Sequence, residues 1–246
     1  MQLQPPCAIF LTEQVGDLNA GAGFLTKLSD VEQNRVRELG TTKLLERHDT
    51  LFTQGEKHSG VWIIERGRVR TFYAGPNGKE VTLAYWTPGH FVGGPEVFGE
   101  GRHIWSGDAL EPTQVLFLSG RTMRALVEEI PAVAISVIEG LVAKGKCYSA
   151  LIQMFGTRTA TARLEHLLVI LATHQGREED GRIVVDRTIT YEQLATMVGA
   201  TRQWVSTTLD SLHAKGILTI SRHQMHIASV ESLREQLGMA EVDVAQ

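Results

Sequence analysis

Residues 190–207 read TYEQLATMVGATRQWVST, and this stretch decides the architecture of the C-terminal third of the chain. Thr190 followed three residues later by Gln193 is a capping box, in which two otherwise unpaired backbone N–H groups are satisfied reciprocally. It opens a short helix from Tyr191 to Val198, which Gly199 ends because glycine takes the left-handed conformation at little cost. Ala200 and Thr201 form the turn, with Thr201 as the next N-cap. A second helix, Arg202 to Ala214, turns Val205, Leu209 and Leu212 inward, and Gly216 ends it. Two short helices about a glycine-containing turn have helix-turn-helix geometry. On the outward N-terminal face of the second helix lie Arg202, Gln203, Ser206 and Thr207. Arginine pairs with guanine, glutamine with adenine, and serine or threonine with either, so this face can read base edges. Residues 217–220, a polar turn Ser221–Gln224 and Met225-His226-Ile227 predict a β-hairpin wing. An ordinary pair of packed helices gives no reason for this order of cap, glycine turn, polar-tipped helix and wing.

Upstream, residues 160–174 predict a helix with Leu164, Leu167, Leu168 and Leu171 on one face, followed by a polar, acidic loop over 175–181. Further back, Pro131 opens a long apolar-periodic segment. Ala134, Ile138, Leu141, Gly145, Tyr148, Ile152 and Phe155 are spaced 4, 3, 4, 3, 4, 3, a heptad seam that predicts a parallel two-stranded homodimer helix. Lys144 and Lys146 flank that seam, and Gly145 on it would let two backbones approach closely. Helical text begins near Arg121. Before it, from Lys43 to about Leu118, short β-type runs alternate with Gly, Pro and Asn turns: Val61–Ile64, Val69–Tyr73, the hairpin turn Gly75-Pro76-Asn77-Gly78, Val81–Trp86, Pro88-Gly89 and Val115–Leu118. Such spacing predicts a small antiparallel barrel or roll. Ser29-x-x-Glu32 is a further capping box, with Val31, Val36 and Leu39 expected as the apolar stripe of its helix. The fold class is therefore α+β. The expected domains are a β-roll domain with an N-terminal helix over 1–130, a dimerisation helix over 131–156 and a winged helix-turn-helix over 157–246.

Composition narrows the function. The 246 residues are 43% hydrophobic and 21% charged, an ordinary globular balance. No run of 18 apolar residues exists and the N-terminus has no basic region before an apolar core, so the expectation is a soluble cytoplasmic protein without membrane partners. Two cysteines, Cys7 and Cys147, cannot build a disulfide framework or a cysteine-only metal site. The net charge of −4 argues against coating nucleic acid by charge alone. Residues 157–226 hold 8 basic and 7 acidic side chains, so DNA binding must come from a shaped site. His48, His58, His90 and His103 fall in expected turns and read as solvated loop histidines, with no metal-ligand spacing among them. His223 and His226 flank the wing. Cys147, beside the seam, reads as a buried small hydrophobe. No nucleophile constellation appears, so no catalytic residue, metal or cofactor is assigned, and a cupin-like metal enzyme is the competing reading from another class.

The arrangement resembles the CRP/FNR superfamily of bacterial transcription regulators over about residues 25–238. Matching text in the roll is Gln54-Gly55-Glu56, Val61–Ile64, Gly67, Pro76–Glu80 and Pro88–Gly93. In the C-terminal part it is Ile189-Thr190, Gln193-Leu194-Ala195 and Val198–Gln203 with Val205-Ser206. The resemblance implies an effector-binding β-roll, a dimerisation helix, an inverted-repeat DNA site touched by Thr190, Thr201, Arg202, Gln203, Ser206 and Thr207, and RNA polymerase as a partner. It also implies an effector pocket lined by Gly93, Gly94, Glu96, Trp105, Ser106, Tyr148 and Ser149. Departures are concentrated there. Where cyclic-AMP binders carry a Gly-Glu pair, this chain reads Gly93-Gly94, and the phosphate-binding Arg-Ser pair falls at Ile104-Trp105. Losing the arginine removes the charged fork for a phosphate. The resemblance therefore implies a small non-nucleotide effector or none, the alternative being a nucleotide pocket rebuilt around Glu96 and Arg102. The cysteine cluster of iron–sulfur members and the haem-ligating histidine of CO sensors are absent at the matching positions. In the recognition helix, Gln203 and Thr207 stand where many members have Glu and Arg, which implies a different half-site.

Overall fold

The computed structural model describes residues 23–186, 189–221 and 224–229. Cys7 and His223, considered above, lie outside the described residues. The chain divides into two compact units with the boundary between Leu151 and Ile152.

In the first unit, Ser29 caps α1 (Asp30–Leu39), and the expected capping box with Glu32 is complete. The expected stripe is not. Val36 is fully buried, Val31 is 79% exposed and Leu39 is exposed. At about 100° per residue, positions five apart sit roughly 140° apart around a helix, so Val31 cannot share a face with Val36. Eight strands follow: β1 (Thr41–Leu45), β2 (Thr50–Phe52), β3 (Gly60–Arg66), β4 (Val69–Ala74), β5 (Glu80–Trp86), β6 (Phe91–Val92), β7 (Ser106–Ala109) and β8 (Thr113–Ser119). They form two four-stranded antiparallel sheets, ordered β1-β8-β3-β6 and β2-β7-β4-β5. The run of apolar residues on β3 is explained by its central place. Trp62 and Ile64 enter a core with Phe52, Trp86 and Val115. Val61 and Ile63 point the other way, into a core with Phe24, Phe91, Leu118, Met123 and Leu126. Alternate side chains serve opposite faces of a strand, and both faces here are covered.

Ser119 caps α2 (Gly120–Glu129). Then Pro131 occupies the first turn of α3 (Pro131–Thr157), where its missing N–H costs nothing. Val133, Val137, Gly140, Ala143, Cys147 and Ala150 are buried on one side of α3. At Gly140 the Phe91 ring approaches so closely that a Cβ would stand 2.5 Å from it. The opposite side exposes Ile135, Ile138 (56%), Val142 and Ile152 (73%), with Gly145 and Ser149 between them. That face runs 135, 138, 142, 145, 149, 152. It shares Ile138, Gly145 and Ile152 with the expected seam but replaces Ala134, Leu141 and Tyr148 by Ile135, Val142 and Ser149. Leu141 packs on the core around Phe91, and Tyr148 on the core around Trp62. An all-round apolar helix offers two adjacent heptad rows, and only the packing of the roll chooses between them. Lys144, expected beside the seam, is instead buried.

The second unit begins with the end of α3 and continues through α4 (Ala160–Gln175), capped by Thr159 and carrying the expected leucines inward. The expected polar loop over 175–181 is a β-hairpin: β9 (Gly176–Glu179) pairs with β10 (Arg182–Asp186). Asp180 and Gly181 connect them with φ of +50° and +71°. Asp-Gly favours such a turn, so the signal was in the text, masked by the acidic run before it. α5 (Tyr191–Val198), α6 (Arg202–Ala214), β11 (Leu218–Ile220) and β12 (Gln224–Ile227) follow among the described residues, and the wing joins the hairpin in a sheet ordered β11-β12-β10-β9.

Candidate DNA interface and effector pocket

The helix-turn-helix is built by its caps. Thr190 Oγ1 accepts the Gln193 N–H at 3.2 Å, and Gln193 Oε1 accepts the Thr190 N–H at 2.8 Å. Gly199 takes the left-handed conformation (φ 66°, ψ 38°), and a Cβ there would stand 2.4 Å from the Phe155 ring. Thr201 Oγ1 accepts the Trp204 N–H, which starts α6 with Val205, Leu209 and Leu212 fully inside. Arg202, Gln203 and Thr207 are exposed and Ser206 is half-buried, so the four expected reading residues share the accessible side of the first two turns. Thr207 donates its hydroxyl to the Gln203 carbonyl at 3.1 Å, which leaves its oxygen as an acceptor and its methyl as an apolar contact. Arg163 went unremarked in the sequence. Its guanidinium donates to the carbonyls of Val198 and Arg158, each at 2.8 Å, and lies 4.5 Å over the Phe155 ring. It fastens the C-terminal end of α5 to α4, and nothing in a one-dimensional pattern marks an arginine on a leucine-rich helix as a backbone clasp.

In the roll, Trp105 and Tyr148 come together as expected, with ring centroids 5.4 Å apart and tilted by 58°. Both pack on the inner core. Burial pushes the Tyr148 hydroxyl far above its ordinary titration range. Ser106 Oγ accepts the Gln54 N–H at 3.0 Å. Gly93 and Gly94 are buried, and Gly93 (φ +105°) has the Trp62 ring where a Cβ would go, at 2.7 Å. Ser149, expected in the pocket, is exposed on the outer face of α3. Ile104 is also exposed. Arg102 lies at the surface and donates to the Gly55 carbonyl at 2.7 Å, while Glu96 is half-buried with one carboxylate oxygen fully enclosed.

Three of the four roll histidines overturn the expectation of solvated loops. His48 is exposed, but His58, His90 and His103 are almost wholly buried. Turn residues here fold back between the sheets, because the aromatic core accepts flat rings as stacking partners. His90 sits 5.5 Å from Trp86, and the Lys144 ammonium lies 4.1 Å over both Trp86 and Phe91. Burial and the Lys144 charge hold His90 down at about 4. Cys147 is buried with its thiol 3.8 Å from the Leu83 carbonyl. Among the described residues, no group of three or more His, Cys, Asp or Glu is arranged to hold a metal, and no helix is long and apolar enough to cross a membrane.

Known proteins match both units. Residues 42–129 match the cyclic nucleotide-binding domain family and residues 162–236 the Crp-like helix-turn-helix domain family. The cyclic AMP receptor protein of Thermus thermophilus is 25% identical over 185 residues, 75% of this chain and 82% of that protein. The global nitrogen regulator of Synechococcus elongatus is 24% identical over 210 residues, 82% of this chain and 95% of its own. Among solved structures, a CooA variant from Carboxydothermus hydrogenoformans superposes with a TM-score of 0.73 at 24% identity, covering 94% of this chain and 99% of that one, which establishes the shared fold. With a cyclic nucleotide-binding domain and a Crp-like helix-turn-helix in this order on one chain, the protein belongs to the CRP/FNR superfamily of transcription regulators.

Proposed function

We propose that this regulator works as a homodimer on an inverted-repeat DNA site and does so without a cyclic nucleotide. The observation that carries the second half is the filled interior of the roll. Trp105 and Tyr148 lean on each other where a ligand would enter, and Ile104, at the family's phosphate position, is turned to solvent. A phosphate anion buried against these side chains would lack a cationic fork, a loss of several kcal/mol. The rebuilt-pocket alternative is disfavoured because Arg102 is exposed and engaged with Gly55. Lys144 is the one cation on the inner side of α3, and its ammonium is enclosed by Trp86 and Phe91. An effector, where one exists, is small and non-nucleotide and acts beside Trp105 and Tyr148.

Dimerisation is supported by the outer face of α3. A row of exposed Ile and Val at heptad spacing, with Gly145 at its middle, is what a second copy of the same helix covers. A twofold pair of recognition helices calls for half-sites about 34 Å apart, one turn of DNA. Arg202, Gln203, Ser206 and Thr207 would read bases, while the capped N-termini at Thr190 and Thr201 would face phosphates. RNA polymerase is the expected partner of the bound dimer, and the cell interior is its expected location. Selection of bound sequences from random DNA, run with and without cyclic AMP, tests the reading. An inverted repeat enriched equally in both arms is the expected result. A site that emerges only with cyclic AMP defeats it.

A further inference from the structure

His58 and His103 use none of the DNA-reading or dimerisation chemistry, yet they are among the most enclosed polar side chains of the roll. Their rings lie 4.4 Å apart, tilted by 39°. His103 is stacked on Phe52 at 4.7 Å and stands 5.8 Å from Trp62. His58 Nε2 is hydrogen-bonded to the Gly93 carbonyl. A carbonyl only accepts, so Nε2 carries the proton and the neutral ring has a bare Nδ1. That Nδ1 has no hydrogen-bond partner, and neither does His103 Nδ1 nor the enclosed carboxylate oxygen of Glu96. Gly93 begins the loop 93–102 that carries Glu96, and the loop is held at its other end by the His103 N–H to the Glu56 carbonyl at 2.9 Å.

We infer that His58 and His103 form a proton-operated latch on the loop 93–102, closed when both rings are neutral and released when one takes a proton. The closed form is a neutral ring stack held at the Gly93 carbonyl. A proton added to either Nδ1 creates a buried N–H with no acceptor and sets a cation against a neighbouring imidazole 4.4 Å away. The groups that face the pair are Glu56 and Glu96, whose charges favour the protonated ring, and each histidine on the other. Lys57 and Arg102, which bridge the two flanking segments, are exposed. Burial and His58 outweigh the Gly93 carbonyl and the two carboxylates at His103 and depress its titration. Release gives the imidazolium what the closed form denies it, contact with water. Because the loop also carries Gly93 and Gly94, the latch would set access to the interior beside Trp62.

Hydrogen exchange of the full-length protein tests this. Backbone protection of residues 93–102 is followed between pH 7.5 and 5.5, corrected for intrinsic exchange, with the β4–β5 hairpin as internal reference. Coupling to one proton raises the opening constant by about tenfold per pH unit once the ring titrates. The loop is expected to lose protection on acidification while the hairpin keeps its own. In the double variant His58→Gln with His103→Phe, which keeps a donor to Gly93 and a flat stacking ring, that dependence should vanish, and each single variant should reduce it. A wild-type loop whose corrected protection is constant over this range overturns the inference. So does a pH dependence that persists unchanged in the double variant. Should the double variant misfold, the single variants and the wild-type profile still decide the matter.

Discussion

The two units differ in where their functional polar side chains go. In the winged helix-turn-helix, Arg202, Gln203 and Thr207 point out from a small leucine- and valine-filled core, Thr190 and Thr201 each cap a helix at the surface, and the buried Glu165 and His166 sit on α4, away from that face. In the roll, three histidines and Lys144 are enclosed among aromatic rings, and those of His58, His103 and Lys144 come from residues distant in the chain. The first pattern is local and follows from sequence spacing. The second is tertiary, because it depends on which loops fold back between the sheets. The difference has a functional side. A unit that reads DNA needs a rigid display of outward donors and acceptors, whereas the latch proposed for the roll needs chemistry held in a low-dielectric interior.

The largest expected effect separates the two faces of α3. Ile138→Asp with Ile152→Asp, on the exposed face, should cost about 3–5 kcal/mol of dimer stability by placing unpaired charges in the seam. Light scattering should show folded monomers. Leu141→Asp should instead unfold the roll, because Leu141 packs on its core, and far-ultraviolet circular dichroism would distinguish the outcomes. A doubly substituted chain that stays dimeric would show that another surface carries assembly.

Next comes the roll's dependence on pH. The folded His90 titrates at about 4, lowered by burial and by Lys144. As pH falls through about 6.5 the unfolded chain takes up a proton that the folded roll refuses, so stability rises with pH across the window from 4 to 6.5. The full loss on acidification is about 3 kcal/mol, at 1.36 kcal/mol per unit. Urea midpoints at pH 7 and pH 4 measure it, and His90→Gln should flatten the slope.

Smaller effects belong to the winged helix-turn-helix. Gly199→Ala should lower its stability by about 2 kcal/mol, through the left-handed backbone and the Phe155 ring in the way. Trp204 fluorescence can follow that transition. Arg202→Ala should leave stability alone and weaken the selected site by about 1–3 kcal/mol at one guanine per half-site, measured by gel shift against single-base variants. The least effect is expected for Val31→Ser, which should change the unfolding free energy from urea titration by no more than about 0.5 kcal/mol because the side chain is in solvent.

The sequence by itself determined every element whose cause lies within a few residues. The capping boxes at Ser29 and Thr190, the glycine stop at 199, the turn at Gly75–Gly78 and the inward Val205, Leu209 and Leu212 all follow from hydrogen-bond needs and helical spacing of neighbours. The outward polar face of α6 was legible for the same reason. Tertiary structure alone decided the rest. It chose Ile135, Val142 and Ser149 over Ala134, Leu141 and Tyr148 for the outer row of α3, since both rows satisfy the same period and only the roll's curvature breaks the tie. It drew His58, His90 and His103 out of turns into an aromatic interior, and made Arg163 a clasp on the carbonyls of Val198 and Arg158. Burial and partnership across long sequence separations are properties of packing, and no local pattern encodes which distant ring or carbonyl a side chain will meet.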